Sequence, residues 1–409
     1  MSGTLGLALR HLRFHWGRSL IMLACLTLVL VLPITVNLLL SQYQTGLLAR
    51  GAATPLLLGA RGSRVDLVLK SLYFESDYSD RIIESDANAL REAGFGRVIP
   101  LHIRHRVLPH TNAELERSLK LDDAPLVGTD LSYFELRGLS AAQGSLPLFL
   151  GDAVVGARVA ERFGLAPGDH LVTRPERAYD PGRSFQLKIP VVGVLAPNGT
   201  TDDAAVFADV RTTWVVDGIG HGHDTVDQIR DPSLVSRETD SNGVLVATPK
   251  LARLQEITPQ NRADYHFHGD TAGFPLTSAI LVPNSDKMRT IAKARYGSNE
   301  TLFLLDPSAV IQEVMGLVFQ VKRFYDTNLL LVTISTALFM ALVILLSARL
   351  RQSELETLNK LGSPRRTAFW LLAWEIIALL SISALIASAL GLTLNWLVSS
   401  QGISLLSAA

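Results

Sequence analysis

At 409 residues the chain has room for two or three compact units, and 48% hydrophobic against 19% charged residues is too apolar for an ordinary soluble enzyme. Its 38 basic and 38 acidic residues cancel, which argues against nucleic-acid binding, and its single cysteine, Cys25, excludes a disulfide framework or a thiolate metal site within the chain. The apolar excess sits in three blocks, one near the start and two near the end.

Residues 1–18 carry Arg10, Arg13 and Arg18 and lead into a charge-free run, Ser19 to Leu40 (SLIMLACLTLVLVLPITVNLLL). That run meets the roughly 20 residues a helix needs to cross a bilayer. It is longer than the about 7–15 apolar residues of a signal peptide, and no small-x-small cleavage site follows promptly, so residues 19–41 read as a retained transmembrane helix. Pro33 and Asn37 are tolerable there if the helix packs against another.

Residues 42–306 have the mixed composition of a globular domain. Alternating apolar residues predict strands over Phe185 to Val194 and Ala204 to Val210, and the Pro197 to Asp203 cluster predicts a turn. Helices are predicted over Asp86 to Ala93, Ala153 to Phe163 and Ser285 to Tyr296, which together give an α+β domain. In residues 307–326, Val310, Ile311, Val314, Leu317, Val318, Val321 and Phe324 recur at helical spacing and predict a stalk. Gln42 to Arg50, after the first span, reads as its partner stalk.

Residues 327–348 and 368–398 are the second and third predicted transmembrane helices. The 349–367 loop between them carries Arg349, Arg351, Lys360, Arg365 and Arg366, so the positive-inside rule puts this loop and residues 1–18 in the cytoplasm. The large domain and residues 399–409 then lie outside. The fold class is a membrane α-helical protein of three spans with a large α+β extracytoplasmic domain and a helical stalk. Glu375, inside the third span, must find a partner or water; one reading pairs it with Arg365 or Arg366 at the interface, the other gives it an assembly or functional role.

His221 and His223 form an HGH and His266 and His268 an HFH, together four of the ten histidines. Alternate residues of a strand share a face, so each pair can offer two imidazoles to Zn²⁺ or Cu²⁺, with Asp217, Asp224 or Asp270 as further ligands. Solvated histidines in surface loops give the same pattern. No Gly-rich loop with GKS or GKT occurs, so any ATP would be hydrolysed in a partner, and no nucleophile, base and orienting group are suggested by spacing.

The order of parts, one span, an exported domain of nearly three hundred residues and closely spaced spans joined by a basic loop, resembles the FtsX/MacB-like ABC transporter permease family. Ala153 to Leu171 (AVVGARVAERFGLAPGDHL) is similar to the family's helix, "GD" turn and strand; Ile189 to Phe207 (IPVVGVLAPNGTTDDAAVF) to its following "VVGV" strand; Arg351 to Arg366 (RQSELETLNKLGSPRR) to its Arg/Glu-rich helix ending in "LG". The chain departs from typical members in showing three spans where they have four. Pro55 to Phe74, with the HGH, resembles a branch found beside zinc-related membrane systems.

The resemblance implies a permease of the bacterial inner membrane, N-terminus cytoplasmic and large domain periplasmic. It implies a homodimer that works with a separate ABC ATPase, which binds the ATP, and that contacts membrane lipids or a periplasmic partner protein. The ATPase would meet Glu354, Leu355, Glu356, Leu358, Lys360, Leu361 and Gly362, whose apolar edge can insert into a cleft while Gly362 caps the helix. The chain itself would be no enzyme and needs no cofactor, zinc at the histidine pairs aside. A non-transporting regulator of a periplasmic partner and a metal-responsive membrane-anchored sensor are the alternatives.

Overall fold

No charged residue lies between Arg18 and Arg50, and the chain there forms one helix, Trp16–Ala52, preceded by a shorter helix, Ser2–Phe14. The computed structural model describes residues 2–110, 123–147, 149–174, 186–221, 235–239, 245–247, 254–350 and 366–400. The chain divides into two units, residues 1–47 with 313–409, and residues 48–312.

The described residues of the first unit are helical. Among the described residues, Trp16–Ala52 and the Ala373–Leu397 stretch of the Arg366–Ser400 helix are long and apolar enough to cross a membrane. Several of their polar side chains turn back on their own backbone: Asn37 donates to Pro33 O at 2.9 Å, Thr45 to Ser41 O at 2.8 Å and Thr393 to Leu390 O at 2.9 Å. That is how a hydroxyl or amide is satisfied without water. Leu28, Leu385 and Trp396 are 77%, 72% and 70% exposed, an apolar surface that water would not tolerate over this length. The expected stalk and second span form a single unbroken helix, Pro307–Leu350, of 44 residues, about 66 Å at 1.5 Å per residue.

The second unit holds two larger sheets. A four-stranded antiparallel sheet runs in the order Leu302–Leu305, Leu56–Ala60, Ser278–Pro283, Gly96–Leu101. Helices Glu84–Glu92 and Asp286–Gly297 contribute Leu90, Ala292 and Tyr296 to its core with Leu56, Leu58, Val98 and Leu281. In the eight-stranded sheet, Gln186–Leu195, Ala153–Val155, Val206–Asp209, Ala124–Thr129, Arg106–Pro109 and His170–Thr173 pair in that order. His170–Thr173 also pairs with Gln186–Leu195, so these six strands close on themselves and leave no free edge among them. Leu187, Ile189 and Val191 alternate inward and meet Val107, Leu126, Val155, Leu171 and Val206.

Two local expectations shift. Ala153 to Phe163 is not one helix: Ala153–Val155 is a strand and only Ala157–Phe163 is helical. Val154 and Val155 suit a buried strand, and Gly156 takes an extended turn where a Cβ would lie 2.3 Å from Asp202 O. The helix expected from Asp86 begins at Glu84, because the Asp86 carboxylate accepts from Ile83 N at 3.0 Å and secures the first turn.

Candidate functional site

The last turn of the Trp16–Ala52 helix delivers Arg50 into the core of the 48–312 unit. Opposite it lies the loop that the sequence marked as a turn, and its folding is local. Asp203 accepts from Asn198 N at 3.1 Å and Gly199 N at 2.8 Å, Gly199 takes φ +70°, and Thr200 Oγ1 accepts from Asp202 N at 3.2 Å. This aims Asp202 inward. Arg50 Nη1 donates to Asp202 Oδ2 at 2.8 Å and Nη2 to Oδ1 at 2.7 Å; Nη2 also reaches Tyr133 Oη at 3.0 Å, and Nε donates to Leu72 O. Tyr133 in turn donates to Asp202 Oδ1 at 2.8 Å.

The side chains of Arg50 and Asp202 are 6% and 1% exposed. Burial opposes ionisation of Asp202, but the Arg50 guanidinium and the Tyr133 hydroxyl outweigh it and hold the carboxyl below its usual value. Burial, then the charge of Asp202, pushes the Tyr133 phenol up to about 12. Thr54 Oγ1 donates to Arg50 O at 3.0 Å and accepts from Arg137 Nη2 at 2.8 Å, while Thr201 Oγ1 donates to Leu72 O at 3.1 Å. The helix end is thus tied to three separate stretches of chain by charged hydrogen bonds, the strongest kind available to side chains.

In the other unit, Glu375 is 5% exposed. Its Oε1 lies 2.7 Å from His11 Nδ1 and its Oε2 lies 3.8 Å from Arg18 Nη2, so the N-terminal segment supplies partners for it; Arg365 and the Arg366 side chain lie outside the described residues. Around this pairing, Met22, Leu26 and Leu379 form an apolar cluster, and a Cβ on Gly391 would lie 2.9 Å from Ile34 Cγ2.

Of the four predicted metal-binding histidines, His221 and His266 face each other in register across an antiparallel strand pair, and the His266 and His268 rings lie 4.8 Å apart. His223 and Asp224 lie outside the described residues. Asp270 caps a turn by accepting from Ala272 N at 3.0 Å. Asp217 is committed elsewhere: its carboxylate meets His102 Nε2 at 2.7 Å and His105 Nε2 at 2.8 Å. Despite burial, these two hydrogen bonds hold the Asp217 carboxyl far below its usual value. The sequence does show this pair, as H-x-x-H in His102-Ile-Arg-His105, but 112 residues separate His105 from its carboxylate.

Residues 328–408 match the family model described as FtsX-like permease C-terminal. This C-terminal region is similar to that of FtsX-like permeases. Glu375 lies inside it, and so do Glu354, Leu355, Glu356, Leu358, Lys360, Leu361 and Gly362, which fall outside the described residues. Permeases of the FtsX-like kind are inner-membrane proteins with periplasmic domains that work with a separate ABC ATPase.

Among solved structures, the chain is similar to the extracellular domain of the ABC-type transporter YknZ from Gram-positive bacteria, at 11% identity over 61% of this chain and 98% of that one, TM-score 0.33. It is also similar to the periplasmic region of MacB from Actinobacillus actinomycetemcomitans, at 13% identity over 64% and 92%, TM-score 0.34. A third is a permease-protein domain from Porphyromonas gingivalis, at 13% identity over 55% and 84%, TM-score 0.27. TM-scores this far below 0.5 establish no shared fold. A comparison with curated proteins returns no match.

Proposed function

We propose that the chain is the permease subunit of a bacterial ABC transporter and carries ATP-driven motion from a separate ATPase to a periplasmic domain, residues 48–312. The observation that carries this reading is the match of residues 328–408 to the FtsX-like permease C-terminal region. Supporting it, the Trp16–Ala52 and Pro307–Leu350 helices each run without a break from one unit of the chain into the other, and a continuous helix is a stiff element over such a length.

In this reading three helices span the inner membrane, at residues 19–41, 327–348 and 368–398, with the N-terminus in the cytoplasm. Two copies pair, and each presents residues 354–362 to an ATPase. Closure of the ATPases on ATP displaces the helices, and Arg50, buried and bonded to Asp202, makes the periplasmic domain follow. The cargo or client belongs to the periplasmic side: an outer-leaflet lipid, a lipoprotein, a peptide or a partner protein.

The test is affinity purification from native membranes in mild detergent, with ATPase activity and stoichiometry recorded for wild type, Glu356→Ala and Leu358→Asp. An ATP-binding subunit that copurifies with wild type and is lost from Leu358→Asp is the expected result. If no ATPase associates with the wild-type chain, the permease reading is wrong.

A further inference from the structure

The chain passes from the four-stranded to the eight-stranded sheet through a linker, residues 102–105, between the strands Gly96–Leu101 and Arg106–Pro109. The linker is pinned by its backbone. His102 and Gly128 exchange N–H···O bonds of 2.9 Å, Leu126 N donates to His105 O at 2.9 Å, and Ile103 N donates to Thr277 Oγ1 at 2.8 Å. The two imidazoles are therefore presented from a fixed frame. Asp217 is presented just as rigidly, because it caps the Val210–Val216 helix with its N–H on Thr213 O at 3.0 Å.

The ring nitrogens of His102 and His105 converge on the two oxygens of this one carboxylate, and one donor atom from each of the three residues falls within 4.8 Å of the others. Their side chains are 1%, 4% and 3% exposed. Arg104, on the solvent side, touches Asp217 Oδ1 at 3.2 Å. Two imidazoles and a carboxylate are a ligand set for zinc, not for the oxygen-loving Ca²⁺ or Mg²⁺. Zinc bonds of about 2.0–2.2 Å put neighbouring tetrahedral donors roughly 3.3 Å apart, so the N···O separations of 2.7 and 2.8 Å open by about half an ångström on binding while the widest donor pair, within 4.8 Å, draws in.

We propose that His102, His105 and Asp217 bind Zn²⁺ and that the ion clasps the linker between the sheets to the end of the Val210–Val216 helix. Binding replaces each Nε2–H···O hydrogen bond by Nε2–metal and O–metal bonds, and each displaced imidazole proton moves to Nδ1 or leaves to solvent. Three protein ligands leave a fourth position for water or an incoming donor. The site is distinct from the His221, His266 and His268 group, and it stands whether or not the chain is a permease.

The experiment is Zn²⁺ binding to the full-length chain in detergent by equilibrium dialysis with elemental analysis, alongside visible spectra of the Co²⁺ form and melting curves with zinc or with chelator. His102→Gln and His105→Gln are informative because the glutamine amide can still donate to Asp217 but is a poor ligand. Wild type should take up one Zn²⁺ per chain that persists in a His221→Ala/His266→Ala/His268→Ala variant. Each glutamine variant should lose on the order of tenfold or more in affinity, together with the zinc-dependent rise in melting temperature. Zinc retained by both glutamine variants, or lost only from the triple alanine variant, overturns the site. Should the glutamine variants not fold, the spectrum of the triple alanine variant decides: tetrahedral Co²⁺ bands support the site, and a spectrum no different from aqueous Co²⁺ refutes it.

Discussion

Arg50 and Asp202, 152 positions apart in the chain, meet as a bidentate ion pair with both side chains almost wholly buried. Removing one member leaves the other charged in a dry site, which costs far more than the pair itself contributes. Asp202→Asn or Arg50→Ala should destabilise the 48–312 unit by about 3–5 kcal/mol, read from denaturant titration followed by tryptophan fluorescence. The variant Arg50→Met/Tyr133→Phe/Asp202→Leu, which removes both charges of the ion pair, should be more stable than either single variant. If the singles melt like wild type, the pair does not hold the helix end.

The same pair predicts an acid sensitivity. The folded carboxyl of Asp202 titrates below its ordinary value of 3.8. Its contribution is therefore whole above that value and is lost as pH falls from there through the lower folded one. Other carboxylates share this behaviour, Asp306 beside Ser308 and Arg289 among them, so the informative quantity is a difference. The gap in melting temperature between wild type and Asp202→Asn should be constant from about pH 7 to 5 and should shrink below about pH 4. A gap that stays constant at low pH would show that folding does not shift the Asp202 carboxyl.

Glu375, with His11 and Arg18, joins the Ser2–Phe14 segment to the C-terminal helix. Glu375→Gln keeps a hydrogen-bonding group and should be mild, whereas Glu375→Ala should release the N-terminal segment. Limited trypsin digestion of detergent-solubilised protein reads this out, with cleavage after Arg10 and Arg13 severalfold faster in Glu375→Ala. Equal cleavage in all three proteins would mean that the contact does not hold the segment down.

Gly51 is where a side chain cannot be added freely. A Cβ there would lie 2.5 Å from Ile311 Cδ1 and 3.3 Å from Ser308 Cα. The tip of Ile311 can move but the backbone of Ser308 cannot, so Gly51→Ala should cost little and Gly51→Val about 1–3 kcal/mol. Ile311→Ala should recover part of the Gly51→Val loss; a double-mutant cycle by denaturation measures this, and additive losses would rule out the contact.

What the sequence disclosed and what it hid follow from the range of the interactions. The helical spacing of Val310 to Phe324 and the alternation along Leu187, Ile189 and Val191 are local patterns, and both elements lie where those patterns put them. The strand at Ala153–Val155 read as helix because its neighbours in space, not its own spacing, select the extended form. Arg50, Asp202 and Tyr133 have no common motif, since each comes from a different element. Asp217 was legible as a ligand candidate but next to the wrong histidines: HGH lies close to it in sequence, while the rings that reach it come from more than a hundred residues upstream.

The approach of Gly51 to Ser308 and Ile311 also has a topological consequence. The first and last residues of the 48–312 unit lie side by side, so the chain enters and leaves that unit at neighbouring points. A unit with adjacent ends can be cut away and its ends joined by a short linker, or exchanged for another of matching footprint. What lies between those two ends is then open to change as a single cassette.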